Sequence, residues 1–96
     1  MKLSQLLYFK KIAETGTLAQ AAKQLGVTAP ALSIAISNLE KELGVVLFDR
    51  QANRITLNEQ GQTYLQRINQ ILEDLESAKT DIQNMSAASE NIEVTL

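Results

Sequence analysis

Residues 17–43 read TLAQAAKQLGVTAPALSIAISNLEKEL, and the punctuation of this stretch decides the fold. Thr17 and Thr28 each stand just before a run with helical periodicity, where a side-chain oxygen accepts from an orphan backbone N–H. Thr17-x-x-Gln20 has the spacing of a capping box. Gly26 closes the first run after Leu25, and Gly44 closes the second after Leu43. Pro30, the only proline, falls in the first turn of the second run, where a missing N–H costs nothing. In that run Leu32, Ile36, Leu39 and Leu43 recur at spacings of 4, 3 and 4 and form one inward stripe. The opposite side carries Pro30, Ser33, Ile34, Ser37 and Lys41. Ile34 is the odd feature there, an apolar residue on an otherwise polar face.

Upstream, Ser4 precedes a helical run from Gln5 to Thr15, with Leu6, Leu7, Phe9, Ile12 and Ala13 as its apolar positions and Gly16 as its stop. Downstream, the short apolar run Val45–Phe48, the polar Gln51-Ala52-Asn53 and the alternating Arg54–Leu57 predict a short β-hairpin around a three-residue turn. Asn58 then caps a fourth helix reaching about Met85. Along it Tyr64, Ile68, Ile71, Leu75, Ala78, Ile82 and Met85 follow a strict heptad, flanked by Leu65 and Leu72. Such a helix is roughly 40 Å long and projects beyond a small head, so its seam is expected to meet a partner helix, the simplest being its own copy. Ser86–Ser89 is small and polar and predicts a hinge, and the alternation of Ile92, Val94 and Leu96 predicts the start of a strand.

At 96 residues and 45% hydrophobic, the chain has room for one small packed domain plus one further element. It contains no Cys and no His, which removes disulfide frameworks, thiol nucleophiles, the usual zinc sites and histidine acid–base chemistry. No phosphate-binding glycine loop or nucleophile arrangement is present, and no enzyme is expected. No apolar run approaches the roughly 20 residues of a membrane span, and Met1–Gln5 lacks a signal-peptide core, so a cytoplasmic setting is expected. The net charge of −2 hides a split. Residues 1–67 hold eight Lys/Arg (Lys2, Lys10, Lys11, Lys23, Lys41, Arg50, Arg54, Arg67) against five acids, a balance of +3. Residues 68–96 hold Lys79 alone against Glu73, Asp74, Glu76, Asp81, Glu90 and Glu93, a balance of −5. Any polyanion is therefore expected to meet the first two thirds.

Two capped helices joined by a short turn, followed by a hairpin with two arginines, suit insertion of the second helix into a DNA major groove. Thr17, Thr28 and the N–H groups beside them can hold phosphate oxygens. Arg50 and Arg54 suit the negative potential of a minor groove. Capped three-helix cores that bind nothing are also common, so the pattern alone leaves both readings open. Tyr8 and Phe9 read as packing residues, and Glu40 and Glu42 as solvated positions or partners of Lys41.

The run Leu7-Tyr8-Phe9, Ala13-Glu14, Gly16-Thr17-Leu18, Ala21-Ala22, Leu25, Val27-Thr28, Pro30-Ala31-Leu32-Ser33, Ile36, Leu39-Glu40, Glu42-Leu43-Gly44-Val45 and Leu47-Phe48-Asp49-Arg50 resembles the N-terminal domain of LysR-type transcriptional regulators. Arg54, Leu57 and Gly61 continue the match, which covers about residues 1–85. The resemblance implies a mostly α fold: a winged helix-turn-helix over 1–57, with the helix-turn-helix at about 18–37 and the wing at about 45–57. It implies a linker and dimerisation helix over 58–85, with 86–96 as hinge and first residues of an effector-binding domain. DNA-contacting positions are then Thr17, Thr28, Ala29, Pro30, Ser33, Ile34, Ser37, Lys41, Arg50 and Arg54. Dimer positions are Tyr64, Ile68, Ile71, Leu75, Ala78 and Ile82. The implied partners are a double-stranded operator and a second copy, with a tetramer in the full-length protein. No cofactor is implied here; a small-molecule effector belongs to the C-terminal domain. Relatives often carry Gln at Ala29, basic residues or Gln at Ile34 and Ala35, and a basic residue at Ser37; Asn58 replaces the usual Thr. The depleted helix and a pI of 5.0 leave a protein–protein adaptor of the same fold as the alternative. A plain coiled-coil module would leave the capped helix pair unexplained.

Overall fold

The computed structural model describes the backbone of residues 1–95 and the side chains of residues 1–86. The order is α1 (Leu3–Thr15), α2 (Leu18–Leu25), α3 (Ala29–Leu43), β1 (Phe48–Gln51), β2 (Arg54–Leu57) and α4 (Glu59–Thr95). Both threonine caps form as the sequence predicts: Gln20 N donates to Thr17 Oγ1 at 3.2 Å, and Ala31 N to Thr28 Oγ1 at 3.2 Å. For Thr17-x-x-Gln20 this is the hydroxyl half of a capping box. Gly16, Gly26 and Gly44 end their helices in the left-handed conformation, as helix-closing glycines do.

The start of α1 differs from expectation. Ser4 is inside the helix, and Lys2 stands at its cap position, its N–H donating to Gln5 Oε1 at 2.9 Å. Gln5, three residues in, bonds back to the cap residue, which is the reciprocal half of a capping box. The hairpin is also shifted. Val45 and Val46 are exposed loop residues, and β1 begins at Phe48. Gln51 pairs with Arg54 across an antiparallel register, so the loop is Ala52-Asn53, two residues rather than three.

The core lies where α1, α3 and the first turns of α4 meet under the wing. Phe9, Ile12, Leu32, Ile36, Leu39, Leu47 and Ile68 are its fully buried large side chains. Phe9 is the hub: its ring lies 5.3 Å from that of Phe48, and 5.4 Å from that of Tyr64 in an edge-on contact. Asn58 joins head to helix. Its Oδ1 accepts from Gly61 N at 2.8 Å, while its side-chain amide donates to Val46 O at 2.7 Å. Gly61 is needed because a Cβ there would run into the Leu47 carbonyl oxygen.

Two expectations about α4 are corrected. The heptad does not stay on one surface: Ile68 is 1% exposed inside the head and Tyr64 is half-buried against it. Only from Ile71 onward does the repeat lie bare. Secondly, α4 continues through Ser86–Ser89 and on to Thr95, so there is neither hinge nor strand. Alanine is the best helix former and nothing in that segment breaks a helix. Leu96 lies outside the described residues.

Candidate nucleic-acid interface

Three features converge on one side of the head: the N-terminus of α2, the outward face of α3, and the wing. The wing is fastened by Ile55 N, which donates to Gly16 O in the α1–α2 turn at 3.0 Å. Ile55 is buried beneath it. Between α2 and the hairpin runs an open groove of about 550 Å³, with Thr17, Leu18 and Ala19 on one wall and Arg50–Ile55 on the other.

The register places Arg50 opposite Ile55 and Arg54 opposite Gln51, so the two arginines leave the ribbon on opposite faces. Arg50 Nη1 donates to Ser33 Oγ on α3 at 3.4 Å. Arg54 reaches the other way, its Nη2 beside Gly16, where an added Cβ would stand 3.5 Å from it. Both arginines thus stand on the wing wall of the groove, Arg50 turned toward α3 and Arg54 toward the α1–α2 turn. Neither forms an ion pair with a carboxylate among the described residues, and Asp49 does not neutralise Arg50.

Thr28, Pro30, Ile34, Lys41, Arg50 and Arg54 are exposed, while Thr17, Ser33 and Ser37 are half-buried. Ala29 packs partly against the core, and it is Ala31, three residues before Ile34, that faces outward. Helical spacing could have found Ala31. Ser37 and Lys41 lie further along α3, beside Glu40 and the Gly44–Val46 loop. Glu40 is no solvated spectator: its carboxylate accepts from Leu47 N at 2.7 Å and holds the approach to the wing. That bond joins residues seven apart across an irregular loop, and no local pattern announces it. Among the described residues no group of three or more His, Cys, Asp or Glu could hold a metal ion, and no helix is long and apolar enough to cross a membrane.

Three helices, a capped turn between the second and third, and a β-hairpin pinned beside them define a winged helix-turn-helix. The chain belongs to the lysR family of bacterial regulatory helix-turn-helix proteins, whose family model matches residues 3–62. It is 41% identical over 86 residues to the HTH-type transcriptional regulator BsdA of Bacillus subtilis (strain 168), covering 88% of this chain and 30% of that one. The chain spans less than a third of the length of the first curated relatives it matches. Among solved structures it resembles the CbnR DBD in its DNA complex, with a TM-score of 0.80 and 38% identity over 91% of this chain and 99% of that one. It also resembles the BenM DBD with benA site 1 DNA, with a TM-score of 0.85 and 28% identity over 90% of this chain and 97% of that one.

Proposed function

We propose that this chain binds double-stranded DNA sequence-specifically as the reading head of a transcription regulator, and does so as a homodimer. Helix α3 enters the major groove N-terminus first, with Thr17 and Thr28 near phosphates and Arg50 and Arg54 on backbone or minor groove. The carrying observation is the groove between α2 and the hairpin: two exposed arginines on its wing wall, unpaired with any carboxylate among the described residues, face the capped N-terminus of α2. The solved DNA complexes of the CbnR and BenM domains support the same reading. The exposed repeat Ile71, Leu75, Ala78 and Ile82 on α4 supports a second copy, which sets two reading heads at a fixed spacing.

The test is retention of a random-sequence duplex pool and of sequences selected from it, titrated across salt. Affinity for both should fall steeply with salt. Arg54→Ala should weaken both and lower the salt slope by about 0.9, the share of one phosphate contact, with the melting curve unchanged. A chain that retains no duplex at low salt would be the adaptor instead.

A further inference from the structure

We propose that Ile34 is a specificity-determining residue that reads the C5-methyl group of thymine, so that each half-site presents a T·A pair beneath it. The inference rests on the DNA-binding reading above and asks what such a surface could recognise.

Along the outward face of α3 the exposed residues are Pro30, Ala31, Ile34 and Asn38. Ser33, between them, is half-buried, and its oxygen is occupied by the Arg50 guanidinium. Thr28 Oγ1 is likewise engaged with the backbone of Ala31. No residue of the helix itself in its first three turns carries a guanidinium or ammonium group, and the guanidinium beside them is that of Arg50 from the wing, held on Ser33. Lys41 is in the last turn, roughly 16 Å along the axis from Pro30 at 1.5 Å per residue. Guanine is read in the major groove chiefly by Arg or Lys on O6 and N7, and this helix has neither where it would enter.

It has instead an apolar ridge. Ile34 is 62% exposed and lies one turn beyond Pro30 and three residues beyond Ala31. The apolar feature of a major groove is the thymine methyl, and small or aliphatic side chains meet it by direct contact. Pro30 and Ala31 have short side chains, which let the helix approach closely enough for Ile34 to reach the base edges. Asn38 is left as the outward amide able to read an adenine.

The experiment begins with selection from a random duplex library by the chain itself. Thymine in the enriched site is then replaced by deoxyuridine one position at a time. Loss of one methyl contact should weaken binding about fourfold, the equivalent of roughly 0.8 kcal/mol for one buried methylene-sized group. That loss should appear at one or two positions per half-site and be absent in Ile34→Ser. At the same positions C·G should bind more weakly than T·A, and 5-methylcytosine should recover the methyl's share. Ile34→Val, which keeps the fold and shortens the side chain, should show a reduced uracil effect. Uracil tolerated within 1.5-fold at every position, or an equal uracil effect in Ile34→Ser, overturns the assignment while leaving DNA binding intact. Failure to enrich any duplex overturns both.

Discussion

Ile68 and Ile82 occupy the same position of the same apolar repeat in the same helix, yet one is 1% exposed and the other 65%. The residues around them explain the difference. Ile68 sits where α4 crosses the head, with Tyr64, Leu65 and Leu72 packed against the same core. Around Leu72 the helix leaves the head, and Ile71, Leu75, Ile82 and Met85 are exposed, by 47–65%. One period thus serves two purposes. Its first third closes a domain, and the remainder is a surface of a kind that an isolated helix leaves bare only at a cost. A heptad specifies which side of a helix is apolar; it does not specify whose side chains will lie against it.

The largest effect is expected in the distal part. Changing Ile71 and Leu75 together to Glu places four carboxylates in the seam of a dimer and removes four apolar side chains, each contributing about 1.5–3 kcal/mol when buried. Dimer dissociation should strengthen by roughly a thousandfold or more, and sedimentation should find a monomer that no longer holds a two-half-site duplex. Thermal unfolding of the head should be little affected, because both positions lie at or beyond its edge. A variant that remains dimeric would show that the bare repeat is not the interface.

The reverse pattern is expected at Ile68. Ile68→Ala opens a cavity at a fully buried position and should cost about 2–5 kcal/mol of head stability in denaturant unfolding. Ile82→Ala, the same change two heptads on, should leave head unfolding within the error of the measurement. Equal effects at the two sites would abolish the distinction between them. Gly61→Ala follows, smaller but in the same direction. The new methyl must displace the Leu47 carbonyl, which also accepts from Asn58 N at 3.0 Å. Overpacking of this kind costs about 1–3 kcal/mol, offset by up to about 1 kcal/mol of helix propensity. Measured stability should fall by denaturant titration, and a rise would mean that the head and α4 are less tightly joined than Gly61 implies.

The same contrast shows what could be read from the residues. The head was legible because its signals are local: Thr17 and Thr28 before helical runs, glycines after them, Pro30 in a first turn. Its long-range fastenings were not. Glu40 on Leu47 N, Arg50 on Ser33 and Ile55 on Gly16 join residues that only the fold brings together. Ser4 misled because the helix begins at Leu3, before the first residue of the apolar pattern, and Gln5 reaches back to the N–H of Lys2. The expected hinge at 86–89 misled for the opposite reason, since small polar residues without Gly or Pro permit a helix as readily as they permit a turn. On α3 the resemblance points to Ala29, which packs partly against the core, whereas helical spacing from Ile34 points to the exposed Ala31.

The smallest effect belongs to the border between the two regions. Tyr64 is in the heptad, yet its ring stands edge-on to Phe9 and its hydroxyl donates to Met1 Sδ at 3.0 Å. Burial, and then the nearby Glu42 carboxylate, push its phenol above the ordinary tyrosine value of about 10. The sign follows from linkage: with the folded value raised, the unfolded chain loses its proton first as pH rises. Tyr64 thus contributes its full share of stability below about pH 10 and loses it as pH climbs through the folded value. Tyr64→Phe should remove that alkaline loss, and Glu42→Gln should lower the folded titration only in part, because burial is the larger cause. Ultraviolet titration of the phenol, compared with alkaline melting curves, reads both. A Tyr64 that titrates at the ordinary value would place it outside the head, with Ile71 and Leu75, and would move the border of the packed region one turn down the helix.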